Sequence, residues 1–184
     1  AIHEALPQIK TMYLCDLDVA KAEEIAQEYS EKLGVEIIPT SDSKGSALKS
    51  QLIVGETTAR TPIIDKSWLT PGCGLVTMHS GEVCEEVFLS ADGVAADYWT
   101  QLKKHVNPLA KLTQEGKLDE ANIIDLSELV LGEKKLRTSD DQFVAAASMG
   151  LGALDIMIAY QMYLNACEKG IGTKVNLWDK PLWE

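Results

Sequence analysis

The chain has 184 residues, enough for one domain with a developed core, and its 46% hydrophobic content includes no apolar run long enough to span a bilayer. Lys+Arg 17 against Asp+Glu 28 gives a net charge of −11 with no basic cluster, which argues against nucleic acid or an anionic membrane surface as a partner. Cys15, Cys73, Cys84 and Cys167 are scattered without a CxxC pair, so the expectation is buried free thiols in a reducing, cytoplasmic setting, with no metal site.

The opening residues, AIHEALPQIK, lack the basic and apolar regions of a secretory leader and read as the last turns of a helix. Residues 11–16 then form a short apolar run ending in Asp16. Val19, Ala22, Ile25, Ala26, Tyr29 and Leu33 follow at helical spacing, with Asp18 as N-cap and Gly34 just past the end. Further strands are predicted at VEIIP (35–39), QLIVG (51–55), CGLVTM (73–78), GVAADYW (93–99) and QFVAAAS (142–148). These runs carry apolar residues on both faces, and helical patterns, including 99–114 and 125–132, lie between several of them. The alternation predicts an α/β fold in which a parallel sheet is covered by helices. The segment 152–169 is the longest helix candidate, and Leu154, Ile158, Tyr160, Met162 and Leu164 make it apolar on more than one side. Trp99, Trp178 and Trp183 read as packing anchors.

Asp16 stands where a dinucleotide-binding domain places the carboxylate that holds the adenosine ribose, about 20 residues after a glycine-rich phosphate loop. No glycine precedes Gly34 in this sequence. Asp16 is therefore either a ribose acid without its loop or a strand-end acid that caps the following helix. The glycine motif SMGLGALD at 148–155 follows a predicted strand and opens a helix, but Asp155 occupies the place of the third glycine. A carboxylate in the first helical turn would sit badly beside pyrophosphate. Gly150 and Gly152 then suit a tight strand-to-helix turn, or a turn that approaches a ligand bound elsewhere.

The segments MYLCDLDVAKAEEIA, LIVGETTARTPII, LTPGCGLVTM, SELVLGE and SMGLGALDIMIAYQMYLNACEKGIGTKV resemble, in order and spacing, the ornithine cyclodeaminase and mu-crystallin family. The resemblance implies a Rossmann-like parallel sheet over residues 1–150, incomplete at its start. Residues 151–184 would be a C-terminal helix and tail returning to an N-terminal substrate and dimer domain. It also implies an NAD-dependent homodimeric enzyme acting on a small amino or imino acid. Asp16 matches the ribose acid, and a carboxylate there favours NAD over NADP, whose 2′-phosphate would meet a like charge.

By the same resemblance, Thr57 lies beside the cofactor at a strand end, though on its own it reads as a turn residue. Thr77, Met78 and His79 match the segment that contacts the nicotinamide ribose and ring. Ser148, Met149 and Gly150 match the turn that closes over nicotinamide and substrate, with Met149 and Gly150 nearest the substrate. Asp97 matches an acid read as a helix cap. His79 is a candidate proton donor or a polar residue of the cofactor rim, and His3 and His105 read as surface or helix residues. Glu82, Glu85 and Glu86 read as a solvated acidic face. Ornithine cyclodeaminases carry a proton-handling Asp where this chain has Gly81, which moves the expected activity toward oxidoreduction at the C–N bond of an amino or imino acid. An ammonia-releasing cyclodeaminase and a non-catalytic crystallin-like cofactor binder are the alternatives.

Overall fold

A computed structural model describes residues 2–78, 80–176 and 178. After a short helix α1 (Ile2–Ala5), seven strands alternate with helices: β1 (Thr11–Cys15), α2 (Val19–Leu33), β2 (Glu36–Thr40), α3 (Ser43–Ala47), β3 (Leu52–Gly55), β4 (Gly74–Thr77), α4 (Glu85–Leu89) and β5 (Gly93–Ala96). The chain continues through α5 (Trp99–Leu102), α6 (Pro108–Gln114), β6 (Ile123–Asp125), α7 (Leu126–Val130), β7 (Val144–Ala147) and α8 (Gly152–Lys169). Every strand pair is parallel. Such sheets are covered by crossover helices, which is why their strands read as nearly unbroken apolar runs.

The strands form two sheets. β1 pairs only with β2, and the other five run in the order β3-β4-β7-β5-β6. β7, the last strand in sequence, is therefore central, with Ala145 and Ala147 buried against the core. Fully buried Leu75, Val87, Phe88, Leu102, Leu109 and Leu112 fill that core, and α4 packs on α6 beside it. Two compact units result, one ending at Met149 and the other beginning at Gly150.

Asp18 caps α2 by accepting from the Lys21 N–H at 3.3 Å, and Gly34 closes it in the left-handed region at φ 65°, as the sequence predicts. The predicted helix 99–114 is instead two short helices, α5 and α6. Pro108 at the start of α6 cannot donate to a preceding turn, and Asn107 turns the chain there by capping α6 through the Ala110 N–H at 2.9 Å. β6 is three residues long and directly abuts α7, so its signal merges with that of the predicted helix 125–132. The thiol expectation needs correction as well. The cysteines are free, but only Cys73 is buried; Cys15 and Cys167 are exposed and Cys84 is partly covered. Trp99 is buried, Trp178 is half-exposed, and Trp183 lies outside the described residues.

Candidate functional site

In an all-parallel sheet the carboxyl ends of the strands share one edge, and the loops leaving that edge form the usual place for a ligand. Along the five-stranded sheet this edge gathers Thr77 and Met78 after β4, Ser148 and Met149 after β7, and Asp97 after β5. Met78, Gly81, His105, Val106, Asn107, Ser148 and Met149 line one pocket of about 240 Å³ there.

Two carboxylates brace the loops around it. Glu82 is 0% exposed, which corrects its reading as part of a solvated face. Its Oε2 accepts from the Thr57 N–H at 3.1 Å and from the Thr57 hydroxyl at 2.5 Å, while Oε1 accepts from the Thr77 hydroxyl at 2.7 Å. Three donors on one buried carboxylate compensate its desolvation and pin the loop after β3 to the end of β4. Gly55 makes room for it, since a Cβ at that position would lie 2.2 Å from Glu82 Oε1. The Glu82 carbonyl also accepts from the N–H groups of Ile63 and Ile64, at 2.8 and 3.0 Å, fixing the far end of the same loop.

Asp97 acts in the same way between β5 and β7. Its Oδ2 accepts from the Ser148 hydroxyl at 2.9 Å and from the Met149 N–H at 2.8 Å, and Oδ1 accepts from the Tyr98 N–H at 2.8 Å. The cap on α5 comes from a neighbouring strand end, Asp125, whose Oδ1 accepts from the Trp99 N–H at 2.6 Å. Asp97 thus braces the turn at Ser148 rather than capping a helix alone.

The remaining sequence-identified residues fall in separate places. Asp16 is exposed just past the end of β1, in the two-stranded sheet, and its Oδ1 accepts from the Asp18 N–H at 2.9 Å. Its Oδ2 carries no hydrogen bond among the described residues. Thr57 is exposed, whereas Thr77 is 0% exposed and has its hydroxyl on Glu82. Gly150 begins the second unit at φ 94°, a left-handed conformation that favours glycine. His79 lies outside the described residues. Sequence reading missed Glu82 as a member of this edge; His105 is exposed, as its reading as a surface residue expects, and also lines the pocket. No local signal marks Glu82, because its partners Thr57 and Thr77 are brought to it by the fold.

Comparison with known proteins agrees with this architecture. Residues 1–170 match the ornithine cyclodeaminase/mu-crystallin family. Over 145 residues, 78% of this chain and 43% of the relative, the sequence is 31% identical to N-((2S)-2-amino-2-carboxyethyl)-L-glutamate dehydrogenase of Staphylococcus aureus. It is 27% identical to a Delta(1)-pyrroline-2-carboxylate reductase of Bacillus cereus over 177 residues, covering 93% of this chain and 54% of that protein. The Thermococcus litoralis Delta(1)-pyrroline-2-carboxylate reductase, solved with NADH and L-proline, superposes with a TM-score of 0.78 at 28% identity over 91% of this chain and 53% of that one. The chain therefore spans about half the length of the curated relatives it matches. By its fold and by this match over most of its length, the chain belongs to the ornithine cyclodeaminase/mu-crystallin family.

Proposed function

We propose that this chain is the cofactor-binding part of an NAD-dependent oxidoreductase acting at the carbon–nitrogen bond of an amino or imino acid. The observation that carries the reading is the convergence of Met78, Ser148 and Met149 on one pocket at the carboxyl edge of a parallel sheet. The described residues suit the two ends of a dinucleotide. Asp16 offers an exposed carboxylate oxygen to ribose hydroxyls, and the pocket has apolar walls in Met78 and Met149 for a flat ring, with the Ser148 turn beside them. A nicotinamide bound there supplies or takes up hydride.

The chain's own residues orient that chemistry. Glu82 holds Thr57 and Thr77 in place, and Asp97 holds the Ser148–Met149 turn, with Gly150 after it as the proposed approach to substrate. His79 remains a proposed contact at the same rim. Gly81 lines the pocket where cyclodeaminases carry their Asp, so no carboxylate stands at that point, which favours oxidoreduction over ammonia release. The split sheet and the half-length coverage support reading the chain as part of a longer subunit, in which one further parallel strand would lie between β1 and β3. That subunit would be a cytoplasmic homodimer, with residues 151–184 returning to its substrate domain. Among the described residues no helix is long and apolar enough to cross a membrane.

The test follows absorbance of reduced nicotinamide while the full-length subunit meets a panel of amino and imino acids. Net gain or loss of the band during turnover supports the proposal. Turnover without net change would make the enzyme a cyclodeaminase, and cofactor binding without turnover would leave a crystallin-like binder.

A further inference from the structure

Reduction of an imine needs a proton for the nitrogen, and the described lining of the pocket offers one group that can supply it. Of the described lining residues, Met78, Gly81, His105, Val106, Asn107, Ser148 and Met149, His105 carries the acid–base side chain. The two carboxylates nearest the pocket are committed: Glu82 is fully buried under three donors, and Asp97 accepts from Ser148, Met149 and Tyr98. Lys103 is drawn away to Glu120, with its Nζ 3.2 Å from Oε2.

The segment that carries His105 is built to stay in place. Asn107 is 8% exposed, and its Nδ2 donates to the Leu102 carbonyl at 2.8 Å and to the His105 carbonyl at 2.9 Å, while its Oδ1 caps α6. The His105 N–H donates to the Leu102 carbonyl at 3.1 Å. One buried side chain thus ties both ends of a five-residue turn, and the backbone under the imidazole is fixed before any ligand arrives. Met78 and Met149, both exposed, add apolar surface to the same pocket, and His105 and Val106 stand in solvent at its rim.

We propose that His105 is the catalytic acid–base of this site. In the direction of reduction, the imidazolium gives its proton to the substrate nitrogen as the imine carbon takes up hydride from reduced nicotinamide. The C=N π bond breaks, N–H and C–H bonds form, and the products are an amine, neutral imidazole and oxidised nicotinamide. In oxidation the neutral imidazole takes the proton back. This assignment rests on the proposed function, because it needs the nicotinamide and the imine in this pocket.

The experiment compares the full-length subunit with its His105→Ala and His105→Gln variants. NAD affinity should change less than threefold, and kcat should fall roughly a hundredfold. Free imidazole should restore part of the loss in His105→Ala, which a structural role could not explain. In the unmodified protein, the imidazole resonances missing from His105→Gln should shift when NAD and then L-proline are added. Unchanged kcat, absence of imidazole rescue, or ring resonances indifferent to both ligands would overturn the assignment while leaving the oxidoreductase reading intact. Failure of the unmodified subunit to bind NAD or turn over any of the panel would overturn the functional reading and this inference with it.

Discussion

Glu82 and Asp16 are both carboxylates near strand ends, yet their surroundings set opposite expectations. Removing Glu82 strands the buried Thr77 hydroxyl and unties the exposed Thr57, so Glu82→Ala should cost roughly 1–3 kcal/mol, seen as a lower urea midpoint. Glu82→Gln keeps one acceptor oxygen and should cost less; equal losses would show that packing volume, not hydrogen bonding, is what the site requires. Asp16 is exposed and Asp18 caps α2, so Asp16→Ala should leave stability nearly unchanged. Loss of a charge-assisted contact to ribose, worth about 1.5–3 kcal/mol, should weaken NAD binding roughly ten- to a hundredfold and relax discrimination against NADP. Calorimetric titration of both cofactors measures this, and unchanged NAD affinity would remove Asp16 from the site. The contrast also marks what sequence could tell. Asp16 was legible because its place depends on local order, an apolar run followed by a helix. Glu82 was hidden because its partners lie 25 positions upstream at Thr57 and five upstream at Thr77, and an acidic run alone does not reveal long-range pairing.

Among the elements, α2 and α8 were legible to within a residue or two, since periodicity and terminal glycines both mark them. The break between α5 and α6 was written in Asn107-Pro108 but masked by apolar spacing that continues across it. Asn107→Ala should therefore loosen the 103–107 turn and cost about 1–2 kcal/mol, from a lost cap and two lost side-chain hydrogen bonds, while the Leu102 carbonyl keeps the His105 N–H. Faster amide exchange at Leu102 through Ala110 would register it. Helix α8 has no buried residue, and Ile156, Met157, Ile158 and Met162 are all more than 60% exposed. An apolar face of this extent calls for cover. In the full-length subunit, Ile158→Asp should disturb assembly or domain docking, visible by sedimentation as a changed mass or as aggregation. An unaltered, correctly assembled protein would mean that this face stays in water.

At the scale of the whole molecule, acid should act through the surface carboxylates. Glu115, Glu120 and Glu128 are held below the ordinary glutamate value of 4.5, chiefly by hydrogen bonds from Lys117, from the Trp99 indole and from Lys134. The Ser67 and Ser139 hydroxyls likewise hold Asp65 and Asp141 below 3.8. Each group binds its proton less tightly when folded, so its contribution is complete above the ordinary value and is lost as pH falls through the lowered one. Urea midpoints should therefore be flat from about pH 5 to 8 and decline below that range, with a shallower acid limb in Glu120→Gln. Exposure keeps each share small. A decline that begins near neutrality would point to a different group.

The central place of β7 sets the order in which the chain can be completed. Until Val144–Ala147 leave the ribosome, the pair β3-β4 and the pair β5-β6 have no strand between them. Two unjoined pieces with open inner edges must then wait for that strand, and parallel strands are slow to pair. Premature termination between Asp125 and Val144 would yield not a smaller domain but two sticky half-sheets, the kind of nascent product that chaperones hold and proteases clear.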